Sequence, residues 1–193
     1  MPELKEATRL KERIKRTYRV SKYVVYRQTI MEPADHFWSF LGAFIGIATI
    51  GWLQSKQFSN MDNVFLIGSF GASAVLVYGA TNSPLAQPRN LVGGHLVCAI
   101  IGVTIHQLLP SPDMLWLAAA LAVSLSIVCM QITKTMHPPG GATALIANIG
   151  SAKILGLGYM YVLSPVLTGV TILFLSAIIV NNLPRNRHWP YKK

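Results

Sequence analysis

The stretch HPPGGATAL, at residues 137–145, is the most specific feature of the chain. Two prolines followed by two glycines stop a helix, because proline lacks a backbone N–H and glycine adopts dihedral angles that other residues avoid. Helical sequence resumes at residues 140–149, a run too short to cross a bilayer. Irregular backbone at membrane depth is tolerated only where protein or a watery cavity satisfies it. The break therefore indicates either a binding site or a kink between packed helices.

Charged residues are scarce around this break and abundant at the ends of the chain. The 193 residues carry a net charge of +10 although only 12% of them are charged, about half the usual share of roughly 25%. Residues 36–184 hold only four bases and two acids, too few to cover a soluble surface. We therefore expect an integral membrane protein. Positive charge at the ends of an apolar body argues against a nucleic-acid partner.

Apolar stretches follow one another through residues 36–184, and most approach the roughly 20 residues that a spanning helix needs. They predict an all-α membrane domain with six transmembrane segments, followed by a basic tail at residues 185–193. The predicted segments are residues 37–53, 64–80, 91–109, 114–133, the short 140–149, and 159–180.

An internal repeat divides this domain. GASAVLV at residues 71–77 resembles GATALIA at 141–147, and GVTI occurs at 102–105 and again at 169–172. We predict two halves, at about 37–109 and 114–182, each with three segments of which the middle one is short or rich in glycine. An odd number of segments inverts the second half, as in transporters whose sites lie at broken segments.

The positions of the bases predict the topology. Six crossings place both chain ends in the cytoplasm (or stroma) together with the loops that hold Arg89 and Lys134, in agreement with the positive-inside rule. The alternative is four spans with two re-entrant half-helices, which also keeps both ends inside but moves Arg89 and Lys134 to the opposite side.

The first 35 residues predict a basic amphipathic helix on the cytoplasmic side. Within residues 3–30, Leu4, Leu10 and Ile14 recur at helical spacing among many bases. Such a helix lies on anionic lipid, where each base contributes about 1 kcal/mol. A docking or oligomerisation arm is the alternative.

The helix that follows the break is a candidate anion site. Its start at Gly140 and Gly141 is expected to expose N–H groups and the positive end of the helix dipole, which favour an anion. Thr143 adds a hydroxyl, and His137 and Lys134 add charge.

The first half offers a matching candidate. Ser69, Gly71 and Ser73 predict a second helix start with hydroxyl groups. His95 and Arg89 are further candidates, although His95 lies near the end of its predicted span and ranks below His137. Packing glycines, a capping histidine and topology charges are the alternatives for these residues.

The sequence lacks the residues that several classes of function require. No carboxylate lies inside a predicted span, which disfavours a proton-pump relay or a cation site. Cys98 and Cys129 have no metal-ligand spacing, and the chain contains no nucleophile or nucleotide motif. We therefore expect no enzyme activity, no metal and no cofactor.

Three motifs together resemble the HPP family of integral membrane proteins: HPPGGATAL, FGASAVLVYG at residues 70–79 and SPLAQPRNLVGGH at 83–95. The resemblance covers about residues 35–183. It implies four transmembrane helices and functional roles for residues 137–141, which include Pro138 and Pro139, and for the motif at 87–95. It also implies a bacterial inner membrane or a cyanobacterial or chloroplast membrane.

Members of that family in cyanobacteria and chloroplasts are implicated in nitrite transport. The expected function is therefore transport of a small monovalent anion, with nitrite first among the substrates, by a chain that forms homo-oligomers. A non-transporting membrane scaffold that recruits a partner through the basic N-terminal helix is the alternative.

Overall fold

A computed structural model describes residues 11–17, 33–56, 58 and 60–191, with backbone alone for residues 60–65 and 67. Residues 11–17 form a helix, α1; the remainder of the predicted helix at 3–30 lies outside the described residues. The chain divides into two compact units, Met1–His36 and Phe37–Lys193. Helix α1 belongs to the first unit.

Every regular element in the described part of the chain is helical, which confirms the predicted all-α class. The helices after α1 are α2 (Pro33–Ser55), α3 (Asn60–Gly79), α4 (Pro88–Leu108), α5 (Leu115–Thr133), α6 (Pro139–Ile149), α7 (Ala152–Gly156) and α8 (Thr168–Val180). A wider helical turn, Val162–Leu167, leads into α8.

Four stretches of the described chain are long and apolar enough to cross a membrane: Pro33–Ser55, Pro88–Leu108, Pro112–Thr133 and Val162–Val180. Gly68–Gly79 of α3 is a shorter apolar helix, and α6 has only 11 residues. The count of six crossings and the division into two halves of three segments stay predictions.

The structure confirms the predicted start of α6 but not the helix start predicted at Ser69, Gly71 and Ser73. Helix α6 begins at Pro139, directly after the predicted break. Helix α3 begins at Asn60 and runs through residues 69–73, so the predicted second helix start is wrong. Residues 60–79 contain no proline, and single glycines do not interrupt a helix whose backbone bonds are otherwise intact.

Helices α4 and α6 form the centre of the membrane domain, with α5 and α3 packed against them. Glycines bring the two backbones together: a Cβ on Gly102 would lie 2.6 Å from the Ala144 carbonyl oxygen, and one on Gly140 would lie 2.9 Å from that of Gly94. Small residues are common where membrane helices pack, because lipid removes the hydrophobic driving force between helices and close van der Waals contact has to stabilise the pair.

The described part of the C-terminal tail packs into the domain. Trp189 is 2% exposed, and its indole N–H donates to the Ala86 carbonyl at 3.1 Å. The Arg187 guanidinium donates to the Ser39 hydroxyl at 2.9 Å. Part of the basic tail is therefore structural.

We predict that Gly102→Val destabilises the protein, because its side chain would meet the Ala144 backbone, which cannot move aside. Overpacking of this kind costs about 1–3 kcal/mol. Gly68→Ala is the matched control, since a Cβ there meets nothing within 4 Å. Thermal unfolding in detergent, followed by size-exclusion chromatography, measures both; equal midpoints for the two variants would contradict the packing.

Candidate functional site

Five polar side chains meet inside the apolar body. Each is 3% exposed or less, and they come from three helices and from the turn before α6. We call them the histidine–hydroxyl cluster: Ser69 and Ser73 on α3, His95 on α4, His137 in the turn, and Thr143 on α6. All five are sequence-predicted candidates, and the structure brings them into mutual contact.

The Ser73 hydroxyl lies between the two histidines. Its Oγ is 2.7 Å from His95 Nε2 and 2.9 Å from His137 Nε2, and the two ring centroids are 5.0 Å apart. The other ring nitrogen of His95, Nδ1, is 2.7 Å from Thr143 Oγ1. Thr143 Oγ1 in turn lies 2.8 Å from Ser69 Oγ. One hydroxyl therefore couples two imidazoles.

Backbone carbonyls close both ends of the cluster. His137 Nδ1 donates to the Leu85 carbonyl at 2.9 Å, and the Ser69 hydroxyl is 3.0 Å from the Pro139 carbonyl oxygen. Because carbonyl oxygens only accept, the Leu85 contact identifies the proton-bearing nitrogen of His137.

Local sequence explains how these groups converge. Ser69 and Ser73 are four residues apart and share one face of α3. The space for His137 comes from Gly94, where a Cβ would lie 2.5 Å from the His137 Cβ. Pro138 and Pro139 turn the chain there without adding N–H donors that would need partners. The HPPGG motif thus places His137 against α3 and α4.

Two further groups were not predicted. The Tyr161 hydroxyl donates to the Thr143 carbonyl at 3.0 Å, and the Phe70 ring packs on His95 with centroids 5.6 Å apart. Tyr161 stands at the start of the last apolar stretch, where an aromatic residue is typical of a membrane interface. In the structure Tyr161 is instead buried, directly before the wider turn Val162–Leu167.

The start of α6 does not present free N–H groups, so that expectation is wrong. The Gly140 N–H donates to the His137 carbonyl at 2.8 Å and the Gly141 N–H to the Pro138 carbonyl at 3.0 Å. A tight first turn satisfies them within the chain. The polar groups available for a ligand are the side chains of the cluster.

The remaining predicted residues lie outside the cluster. Gly71 borders an apolar hollow shared with Ser39 and Tyr78. The Arg89 guanidinium donates to the Thr133 carbonyl at 2.7 Å, and exposed Lys134 ends α5 in a left-handed conformation with φ 56°. Arg89 thus ties the start of α4 to the end of α5.

Imidazoles and hydroxyls both donate and accept hydrogen bonds. The cluster can therefore bind an anion through its donors or hold a proton. Among the described residues no three His, Cys, Asp or Glu side chains are placed to share a metal ion.

Comparison with known proteins places the chain among membrane proteins. Two transmembrane proteins of Dictyostelium discoideum are similar to it. One is 49% identical over 154 residues, which cover 79% of this chain and 49% of the relative. The other is 43% identical over 165 residues, which cover 85% of this chain and 58% of the relative. The chain spans about half the length of these relatives. No solved structure matches it.

A family profile described as "HPP, transmembrane region" matches residues 28–190. The match includes the HPPGG motif and every residue of the histidine–hydroxyl cluster. The chain therefore belongs to the HPP transmembrane family.

Proposed function

We propose that the protein carries a small monovalent anion across the membrane, with nitrite as its preferred substrate. The histidine–hydroxyl cluster is the observation that carries this proposal. Ionisable residues buried within membrane helices are costly and belong to transport pathways far more often than to packing. A helix bundle that needed only to pack could do so with apolar side chains, without the cost of burying two imidazoles and three hydroxyls.

The chemistry of the cluster favours an anion over a cation. Ca²⁺ and Mg²⁺ bind oxygen ligands that usually include carboxylates, and the sequence has no Asp or Glu in residues 63–112 or 114–193. Hydroxyl and imidazole N–H groups can donate to an anion when they exchange a contact within the cluster for one with the anion. Nitrite has two acceptor oxygens and fits between a few such donors, and the family resemblance favours it.

The cluster draws its residues from both of the predicted repeats. Ser69, Ser73 and His95 come from the first half, and His137 and Thr143 come from the second. Carriers built from inverted repeats bind substrate at the repeat interface and expose it to either side by moving one half against the other. A rearrangement of this kind would break and remake the contacts of Ser73 with His137.

We predict that Ser73→Ala and Thr143→Val each lower the initial rate of nitrite uptake into proteoliposomes about tenfold, the effect of losing roughly 1.4 kcal/mol of transition-state stabilisation. Both variants preserve side-chain volume. Ser124→Ala and Thr171→Val are the matched controls, since each removes a hydroxyl that is exposed and bonds only its own helix. Equal uptake in cluster and control variants would remove the proposed site.

A second pair of variants separates the cluster from the start of α6. Gly141→Ala adds a methyl group that meets only Val123, at 3.9 Å, so we expect normal nitrite uptake. His137→Ala removes a cluster member and should abolish it. Loss of uptake in a normally folded Gly141→Ala variant would indicate that the anion binds at the start of α6 instead.

Deletion of residues 1–30 tests the scaffold alternative. The transport proposal places the site in α3, α4 and α6, so the deletion should leave the initial rate of nitrite uptake unchanged per mole of reconstituted protein. Absence of uptake in the full chain as well as in the deletion would favour the scaffold.

A further inference from the structure

The histidine–hydroxyl cluster is a single file of hydrogen-bonding groups. Six contacts of 2.7–3.0 Å connect seven groups in order: the Leu85 carbonyl, His137, Ser73, His95, Thr143, Ser69 and the Pro139 carbonyl. Both ends are carbonyl oxygens, which accept and never donate. Each of the six contacts needs one proton to be a hydrogen bond.

With both imidazoles neutral, the file contains five protons, one on each hydroxyl and one on each ring. The Leu85 carbonyl holds the His137 proton on Nδ1, so Ser73 must donate to His137 Nε2. Ser73 then accepts from His95 Nε2. The unprotonated His95 Nδ1 accepts from Thr143.

The shortage falls at the far end of the file. Thr143 has given its proton to His95, so the single Ser69 proton serves either Thr143 or the Pro139 carbonyl, and one of these two contacts lacks a proton. Ser73 also lies 3.2 Å from the Ser69 carbonyl. This longer contact lies outside the file and its carbonyl supplies no proton, so the six contacts of the file still share five protons.

One added proton completes the file. When His95 carries protons on both nitrogens, Nδ1 donates to Thr143, Thr143 donates to Ser69, and Ser69 donates to the Pro139 carbonyl. A second added proton would place two imidazolium rings with centroids 5.0 Å apart, where like charges repel strongly. The arrangement therefore suits one extra proton and no more.

A buried imidazolium needs a counter-charge, because an unpaired charge in an apolar interior is unstable. Among the described residues, no acidic side chain near the cluster supplies this counter-charge. The nearest titratable or charged side chains on the surrounding elements are Tyr78 on α3, Arg89 and Cys98 on α4, Cys129 and Lys134 at the end of α5, and Tyr161 before α8. The acidic residues of these elements, Asp62 and Asp113, stand in the first turn of α3 and in the turn before α5.

We propose that the histidine–hydroxyl cluster binds one proton together with one anion, so that the protein carries the two in a one-to-one ratio. The coupling rests on the proposed anion transport. As the anion enters, neutral His95 takes a proton from water of that side onto Nδ1, and the Thr143 hydroxyl turns from donating to Nδ1 to accepting from it. His95 returns the proton to water of the other side when the anion leaves. The net reaction moves one anion and one proton in the same direction, with no net charge.

The experiment measures nitrite and proton movement together. The full chain is reconstituted in liposomes that contain a pH-sensitive dye, nitrite uptake is measured chemically, and potassium with valinomycin sets the membrane potential. Protein-free liposomes give the baseline, since nitrous acid crosses lipid unaided. We expect one proton for each nitrite and a rate that does not depend on membrane potential.

The two possible failures are distinct. Nitrite uptake that follows the membrane potential without proton movement overturns the coupling and leaves anion transport standing. No protein-dependent nitrite uptake overturns the proposed function, and the coupling with it.

Variants and spectroscopy test the assignment to His95. We expect His95→Gln to abolish proton-coupled uptake and His106→Gln, on the same helix outside the cluster, to retain it. In nanodiscs at pH about 8, where an unperturbed imidazole is neutral, nitrogen NMR of labelled histidines should show one imidazolium on addition of nitrite. That signal should be missing in His95→Gln; neutral histidines throughout at saturating nitrite would overturn the proton site.

Discussion

The Ser73 hydroxyl, shared between His95 and His137, is the interaction on which the rest of the membrane domain depends. An imidazole inside an apolar bundle must have partners for both ring nitrogens, and here one serine serves two rings from different helices. That requirement holds α3, α4 and the turn before α6 in one relative position. Gly94 and the two prolines allow His137 to approach α4 this closely. The helix packing at the glycines and the hydrogen bonds of the cluster therefore depend on each other.

Much of this was predictable because the decisive signals are local. Two prolines and two glycines end a helix in any context, so the start of α6 follows from the sequence. For Ser69 and Ser73 the sequence predicts a helix start that the structure does not have, and their spacing of four residues is what lets them share a face. His95 lies near the end of a predicted span that begins at residue 91, but the helix itself is longer. Helix α4 begins at Pro88 and carries His95 two turns inward.

Other parts of the site depend on contacts distant in sequence. The Leu85 carbonyl carries no side-chain signal, yet it determines which His137 nitrogen bears a proton. Tyr161 contacts Thr143 across 18 residues of sequence, so no local pattern predicts their hydrogen bond. From the sequence alone, a kink between packed helices and a binding site are alternative explanations of the HPPGG break. In the structure one break does both: it lets Gly140 pack on Gly94 and places His137 in contact with Ser73.

Locating a bound anion would show directly whether the histidine–hydroxyl cluster is an anion site. Bromide is a small monovalent anion that is visible by anomalous X-ray scattering, and crystals of the full chain soaked in it would report the position. The account predicts an anomalous peak within hydrogen-bonding distance of His95, Thr143 or Ser69, and its loss in Ser73→Ala. A peak confined to the Arg89 and Lys134 end, or no peak in the domain at saturating bromide, would contradict it.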